Sequence, residues 1–147
     1  MSEEKIDVAR RLIELFNRIG ASTGDSTLIA SPDREAIKEI TTDDLEIVPL
    51  RAALEGTVFR GPNALDDFWA ASRESWETLR MDIDEVSEHG DRVLAVGRLR
   101  GRSRETGMEV EAPMGWVATF ANGKIASIRT YPSVAEAREA AEVGGQP

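Results

Sequence analysis

Apolar side chains recur at Ile6, Ala9, Leu12, Ile13, Phe16 and Ile19, the period of one face of an α-helix. Ser2 can cap that helix, Glu3 and Glu4 suit its positive end, and Gly20 ends it. After a flexible connection, GASTGDST, the stretch SPDREAIKEI reads as a short helix with Ser31 as N-cap and Pro32 in the first turn. Thr41 to Asp44 then break it. A longer amphipathic helix is expected over GPNALDDFWAASRESWETL, where Leu65, Phe68, Trp69, Ser72, Trp76 and Leu79 share one stripe and Asn63 can cap. Elsewhere the apolar period shortens to that of strands. LEIVPL and GTVFRG are short, and Pro49 marks the first as an edge or bulged strand. MDIDEVSE, DRVLAVGRLRGRS, MEVEAPMGWVATF and KIASIRTY follow, joined by HG, RETG and NG turns, before a last helix, SVAEAREAAE, and the tail VGGQP. Helices segregated to one side of an antiparallel meander predict an α+β fold. No repeat or linker interrupts it, so residues 1–147 are expected to form a single domain with a loose tail at 143–147.

The hairpins predict which side chains share a sheet face. Closing GRSRETGMEVE at Arg104 to Gly107 sets Arg100 opposite Glu111 and Arg102 opposite Glu109, opposite charges across a ladder. The same register places Gly97 opposite Met114 and Ala95 opposite Trp116, small against large. In the next hairpin Asn122-Gly123 is a type I′ turn signal. Folding about it sets Phe120 opposite Ile125, Trp116 opposite Arg129 and Met114 opposite Tyr131, all on the helix-facing side. The other face carries Leu94, Val96, Val117, Thr119, Ala126 and Ile128 with the Arg–Glu pairs at its rim, which suits a homodimer through the outer sheet face. Ile83 and Val86 differ in parity, so a bulge separates them, and the direction of Asp82 and Asp84 stays open.

Composition narrows the chemistry. With 147 residues, 41% hydrophobic and 31% charged, the chain suits one soluble domain with a real core. No apolar run approaches a membrane span and the start MSEEKIDVARR is acidic, so no membrane partner is expected and the compartment is read as cytoplasmic. The absence of Cys excludes disulfides, a thiol nucleophile and thiolate metal sites. A lone histidine, His89, argues against a histidine metal site or a Ser-His-Asp triad, so no metal or cofactor is expected. A formal net charge of −9 repels phosphate backbones and disfavours nucleic acid as a partner, and the basic run RLRGRSR is read as a paired strand end.

FRGPNALDDFW, EHGDRVLAVGRLRGRS and GMEVEAPMGWVATFANGKIASIRTYPSVAEAREAA together resemble the SnoaL-like branch of the nuclear transport factor 2-like superfamily, over about residues 32–142. The resemblance implies a cone: a curved, mostly antiparallel sheet wrapped around three N-terminal-side helices, with an internal cavity and usually a dimer through the outer face. It also implies relatives as varied as polyketide cyclases, ketosteroid isomerases, limonene-epoxide hydrolases and non-catalytic binders, so fold alone does not give function. The isomerase base does not carry over, because Val48 precedes Pro49 where that family places an Asp. Nor does the phenol of its oxyanion hole, because the only Tyr, Tyr131, stands on the last strand.

What remains is Arg129 as a cation able to stabilise developing negative charge, with Asp84 as its expected acid or base partner and Glu46 and Asp82 as the other acids near the cavity. Arg129 could equally hold its stem over Trp116 and its head in water. Trp116, Tyr131, Met114, Trp69 and Phe59 are the expected ligand contacts. The function expected is binding of a hydrophobic cyclic or aromatic small molecule in the cone, with a cofactor-free cyclase or isomerase activity if it is an enzyme. The alternative is a non-catalytic ligand-binding or protein-interaction module on the same scaffold. An open apolar cavity with an inward acid and Arg129 would favour the enzyme.

Overall fold

The helical period at the start of the chain is realised as α1 (Ser2–Gly20), which buries Ala9, Leu12, Ile13, Leu15 and Ile19. The computed structural model describes residues 2–20, 32–49 and 58–143. The connection after Gly20 (ASTGDST), the Ser31 cap, the first residues of GTVFRG and the tail from Gly144 lie outside them. The remaining elements are α2 (Pro32–Glu39), β1 (Thr41–Val48), β2 (Phe59–Arg60), α3 (Ala64–Ser75), β3 (Trp76–His89), β4 (Arg92–Ser103), β5 (Glu109–Ala121), β6 (Lys124–Tyr131) and α4 (Val134–Val143).

The strands form one curved six-stranded sheet in the order β2-β1-β6-β5-β4-β3. The meander β3 to β6 is antiparallel, as expected, but β1 joins it in parallel alongside β6. Thr41 to Asp44 therefore begin a strand rather than merely ending α2; β2 rather than β1 lies at the edge, while β1 is irregular, its register against β6 shifting between Thr41 and Glu46, with Pro49 just past its end. The opposite edge, β3, is met by α1. The Asn17 side chain accepts from the Met81 N–H at 2.8 Å and donates to the Met81 carbonyl at 3.0 Å, satisfying a peptide that would otherwise face no strand.

The helix expected to run to Leu79 stops at Ser75, and Trp76 is already extended (φ −126, ψ 130). From Leu79 the buried positions alternate through Met81, and β3 pairs with β4 along its length, from Trp76 opposite Ser103 to His89 opposite Arg92. Sheet pairing wins over the helical stripe, and Arg104 helps to end α3 by donating to the carbonyls of Arg73 (2.7 Å) and Trp76 (3.1 Å). At the other end of α3, Asn63 makes no side-chain cap bond.

The β4–β5 hairpin has the expected register, with Arg100 opposite Glu111, Arg102 opposite Glu109, Gly97 opposite Met114 and Ala95 opposite Trp116. The expected bulge in β3 falls between Ile83 and Glu85, leaving Asp84 unpaired in the ladder. The β5–β6 hairpin turns at Asn122 (φ 54) and Gly123 (φ 80) and pairs Phe120 with Ile125. One residue later it departs from expectation. Thr119 pairs with Ser127, so Ala126 is an inserted residue, and beyond it Val117 faces Arg129, Trp116 faces Thr130 and Gly115 faces Tyr131. A shift of one residue exchanges the two faces of a strand, so Ile128 and Thr130 turn inward and Arg129 and Tyr131 outward.

The main core lies on the concave side, where α1, α2 and α3 cover Val93, Ala95, Met114, Trp116, Ala118, Phe120 and Ile125. On the convex side α4 buries Leu94, Val96 and Val117 beneath Ala137 and Ala141, with Tyr131 and Val134 packed against them. Ser133 caps α4 by accepting from the Glu136 N–H at 3.2 Å, while its hydroxyl donates to the Glu136 carboxylate at 3.0 Å. The apolar centre of the outer face, on which the homodimer expectation rested, is thus covered by this chain's own last helix.

Candidate ligand cavity

Between the concave face and the helices the core does not close. A cavity of about 470 Å³ remains, walled by Leu12 and Phe16 of α1, Leu45 and Ile47 of β1, and Leu65, Phe68 and Trp69 of α3. The sheet supplies Leu79, Met81, Leu99, Met114, Trp116, Ile128 and Thr130, and Pro49 and Phe59 close one side. Ala71 and Glu74 line it and are solvent-exposed, so the last turns of α3 mark its mouth. The volume lies in the range of small-molecule sites, and the walls have their usual apolar and aromatic character.

The walls follow from local sequence. Leu45 and Ile47 alternate inward from β1, as do Leu79 and Met81 from β3 and Met114 and Trp116 from β5. Leu65, Phe68, Trp69 and Ser72 recur at helical spacing along α3. Phe16, Phe59, Phe68 and Trp69 form an aromatic corner, with Phe16 5.0 Å from Trp69 and Phe59 edge-on to Phe68 at 6.0 Å between centroids. All three tryptophans of the chain, Trp69, Trp76 and Trp116, line the cavity.

Four of the expected ligand contacts, Trp116, Met114, Trp69 and Phe59, are brought together here. The fifth, Tyr131, is not. It packs under α4 on the convex side, with the exposed Arg129 guanidinium 5.6 Å from its ring centre. The Ala126 insertion thus removes Arg129 from the cavity and from Trp116. Asp84, the expected acid, is exposed at the β3 bulge. Asp82 points outward and accepts from Arg80 and Arg100, whose hydrogen bonds and charge hold its carboxyl below the usual range. Glu46 pairs across β1–β2 with Arg60 at 2.7 Å, on the face opposite Leu45 and Ile47. His89 closes the end of β3 with its Nε2 3.0 Å from the Ser87 hydroxyl. Among the described residues the only ionisable side chain lining the cavity is Glu74. No cluster of metal-ligating side chains occurs among the described residues.

Residues 26–128 match the family model of the SnoaL-like domain. The chain belongs to the SnoaL-like domain family. Solved structures share the fold of this SnoaL-like domain. A protein of Jannaschia sp. CCS1, provisionally named a SnoaL-like polyketide cyclase, is 19% identical with a TM-score of 0.68, over 100% of this chain and 96% of that one. An NTF2-like protein of unknown function from Burkholderia pseudomallei is 19% identical with a TM-score of 0.71, over 92% and 95%. TerC, co-crystallised with polyporic acid, is 18% identical with a TM-score of 0.69, over 94% and 98%. At these identities the likeness establishes the fold alone. No curated protein matches the chain. Among the described residues, no helix of this SnoaL-like domain is long and apolar enough to cross a membrane.

Proposed function

We infer that this SnoaL-like domain binds a hydrophobic, ring-containing small molecule in its cavity, without itself carrying out acid–base chemistry on it. The observation that carries this reading is the cavity wall: about 470 Å³ bounded by aromatic and aliphatic side chains, with one carboxylate, Glu74, exposed at its mouth. Flat aromatic walls favour flat ligands. Proton transfer needs an acid or base within hydrogen-bond reach of the reacting atom. Arg129, Asp84, Asp82 and Glu46 all lie off the cavity. Trp116, Met114, Trp69 and Phe59 are the contacts retained.

A cyclase or isomerase reading has its support in names, since TerC was crystallised with polyporic acid and the Jannaschia protein is named for polyketide cyclisation. In this chain that chemistry would fall to Glu74. Titration with the neutral probe N-phenylnaphthylamine, which brightens in apolar surroundings, tests the binding reading. Saturable one-to-one binding, lost in Ser72→Phe with the fold intact by circular dichroism, supports it; equal probe binding in both proteins contradicts it. We also propose that self-association uses the outer face. Its remaining basis is the exposed ladder of Arg98, Arg100 and Glu111 on that face, which α4 leaves uncovered. Sedimentation at micromolar concentration should then show a dimer that added salt dissociates, and a monomer at low salt would contradict it.

A further inference from the structure

The chain has four Phe, three Trp and one Tyr, and six of these eight, Phe16, Phe59, Phe68, Trp69, Trp76 and Trp116, line the cavity. The face of an aromatic ring carries the negative part of its quadrupole, so a wall of such rings attracts a cation and disfavours an anion. The formal charges agree in sign. Among the described residues no Lys, Arg or His lines the cavity, and the one carboxylate that does, Glu74, forms no ion pair. Arg73 and Arg104 adjoin Glu74 only in a separate open hollow on the surface, where Arg104 is turned onto the carbonyls of Arg73 and Trp76. The formal net charge of −9 draws cations toward the molecule and holds anions off. Trp76 stands at the same mouth, half-buried and two residues from Glu74. A Cβ at Gly101 would lie 2.6 Å from Cε3 of the Trp76 ring, so it is the bare glycine that seats the indole there. An apolar body can thus be buried among aromatic walls while a charged head stays at the mouth, partly hydrated, beside an indole and a carboxylate. That arrangement avoids the cost of stripping an ion of all its water.

We propose that the ligand is an organic cation, an apolar ring system bearing an alkylated ammonium group, with its nitrogen at the mouth beside Trp76 and Glu74. This rests on the binding reading above and sharpens it to a chemical class. The rings inside the cavity hold the apolar body, while Trp76 and Glu74 set the sign of the charge that the site accepts. Hydrophobicity alone would rank ligands in the opposite order, since a neutral hydrocarbon leaves water more readily than an ammonium ion of the same shape.

The test uses three probes of nearly one shape: benzyltrimethylammonium, its uncharged carbon isostere neopentylbenzene, and the anion benzylsulfonate. Each is titrated against N-phenylnaphthylamine bound to the protein, and the displacement gives its affinity. The ammonium should bind at least as tightly as neopentylbenzene and at least about tenfold more tightly than the sulfonate. Glu74→Gln, at an exposed position, should weaken the ammonium about two- to fivefold and leave neopentylbenzene within about 1.5-fold. Glu139→Gln, which removes the same charge from the exposed face of α4, should leave the ammonium unchanged. Trp76→Leu, which keeps an apolar side chain but no ring, should weaken the ammonium at least about threefold more than it weakens neopentylbenzene. Neopentylbenzene binding more tightly than the ammonium, a sulfonate that equals the ammonium, or a Glu74→Gln effect matched in neopentylbenzene or in Glu139→Gln overturns the inference while leaving the cavity as a binding site. If N-phenylnaphthylamine itself does not bind, the binding reading fails and the inference fails with it.

Discussion

Arg34 and Asp66 tie α2 to the first turn of α3 through two hydrogen bonds, Nε to Oδ1 at 2.5 Å and Nη2 to Oδ2 at 2.6 Å. The pair holds one wall of the cavity, since Ile37 on α2 and Leu65 beside Asp66 both line it. The Arg34 hydrogen bonds keep the Asp66 carboxyl below its ordinary value of 3.8, outweighing the opposite effect of burial. A carboxyl depressed in the folded state stabilises fully above its ordinary value, and that contribution disappears as the pH falls through the folded-state value. Asp66→Asn should therefore destabilise the protein by about 1 kcal/mol at neutral pH, the partial exposure of the pair keeping the figure small. The gap between variant and native should narrow below about pH 4, which melting curves over a pH series would show. Arg129 gives the complementary case. Exposed on the convex side, it should tolerate Arg129→Ala with probe affinity unchanged and stability within about 0.5 kcal/mol, by titration and thermal melting. The side to which Arg129 points was within reach of the sequence. Ile125 and Ile128 differ in parity just as Ile83 and Val86 do, and that mismatch marks the Ala126 insertion as it marked the bulge in β3.

Among the elements, α4 depends on a residue with no side chain. A Cβ at Gly115 would stand 2.1 Å from the Cβ of Ala137, so only glycine lets the helix lie on the sheet at that point. Gly115→Val should lift α4, cost about 1–3 kcal/mol, and expose Leu94, Val96 and Val117, seen as a lower melting temperature and increased dye binding on the convex face. Gly97 is tighter in kind, because a Cβ there would meet the Asp82 carbonyl oxygen at 2.0 Å, at the approach of β3 to β4 beside the bulge. Gly97→Ala should destabilise more than Gly115→Ala in the same melting experiment, since α4 can shift off the sheet as a unit whereas β3 is tied to β4 by the ladder on both sides of the contact. The β4–β5 register was legible because opposite charges and large–small pairs agreed across the whole ladder. The end of α3 was not, because Trp76 and Leu79 continue its apolar stripe in sequence while their backbone pairs with β4. Nor was the parallel pairing of β1 with β6, a long-range contact that no local pattern encodes.

For the molecule as a whole, the cone is a division of apolar side chains between two tasks. At the closed end Val93, Ala118 and Ile125 are fully buried and fill the concave face. At the open end the same strands and α3 hold their aromatic and aliphatic groups apart around about 470 Å³. Which wall residues reach that space was largely readable from strand parity and the α3 stripe, since Trp116, Met114, Trp69 and Phe59 meet there. That the space holds neither Arg129 nor Asp84 turns on single-residue bulges in β3 and β6, which the sequence marks only by the parity mismatches of Ile83 with Val86 and of Ile125 with Ile128. The most direct measurement is a crystal structure of the protein under xenon pressure, since a dry apolar cavity takes up xenon without any change in its walls. Xenon density among Phe68, Trp69, Met114 and Trp116, with those side chains in place, is the expected result. Side chains collapsed into that space, leaving no room for a single xenon atom, would contradict it.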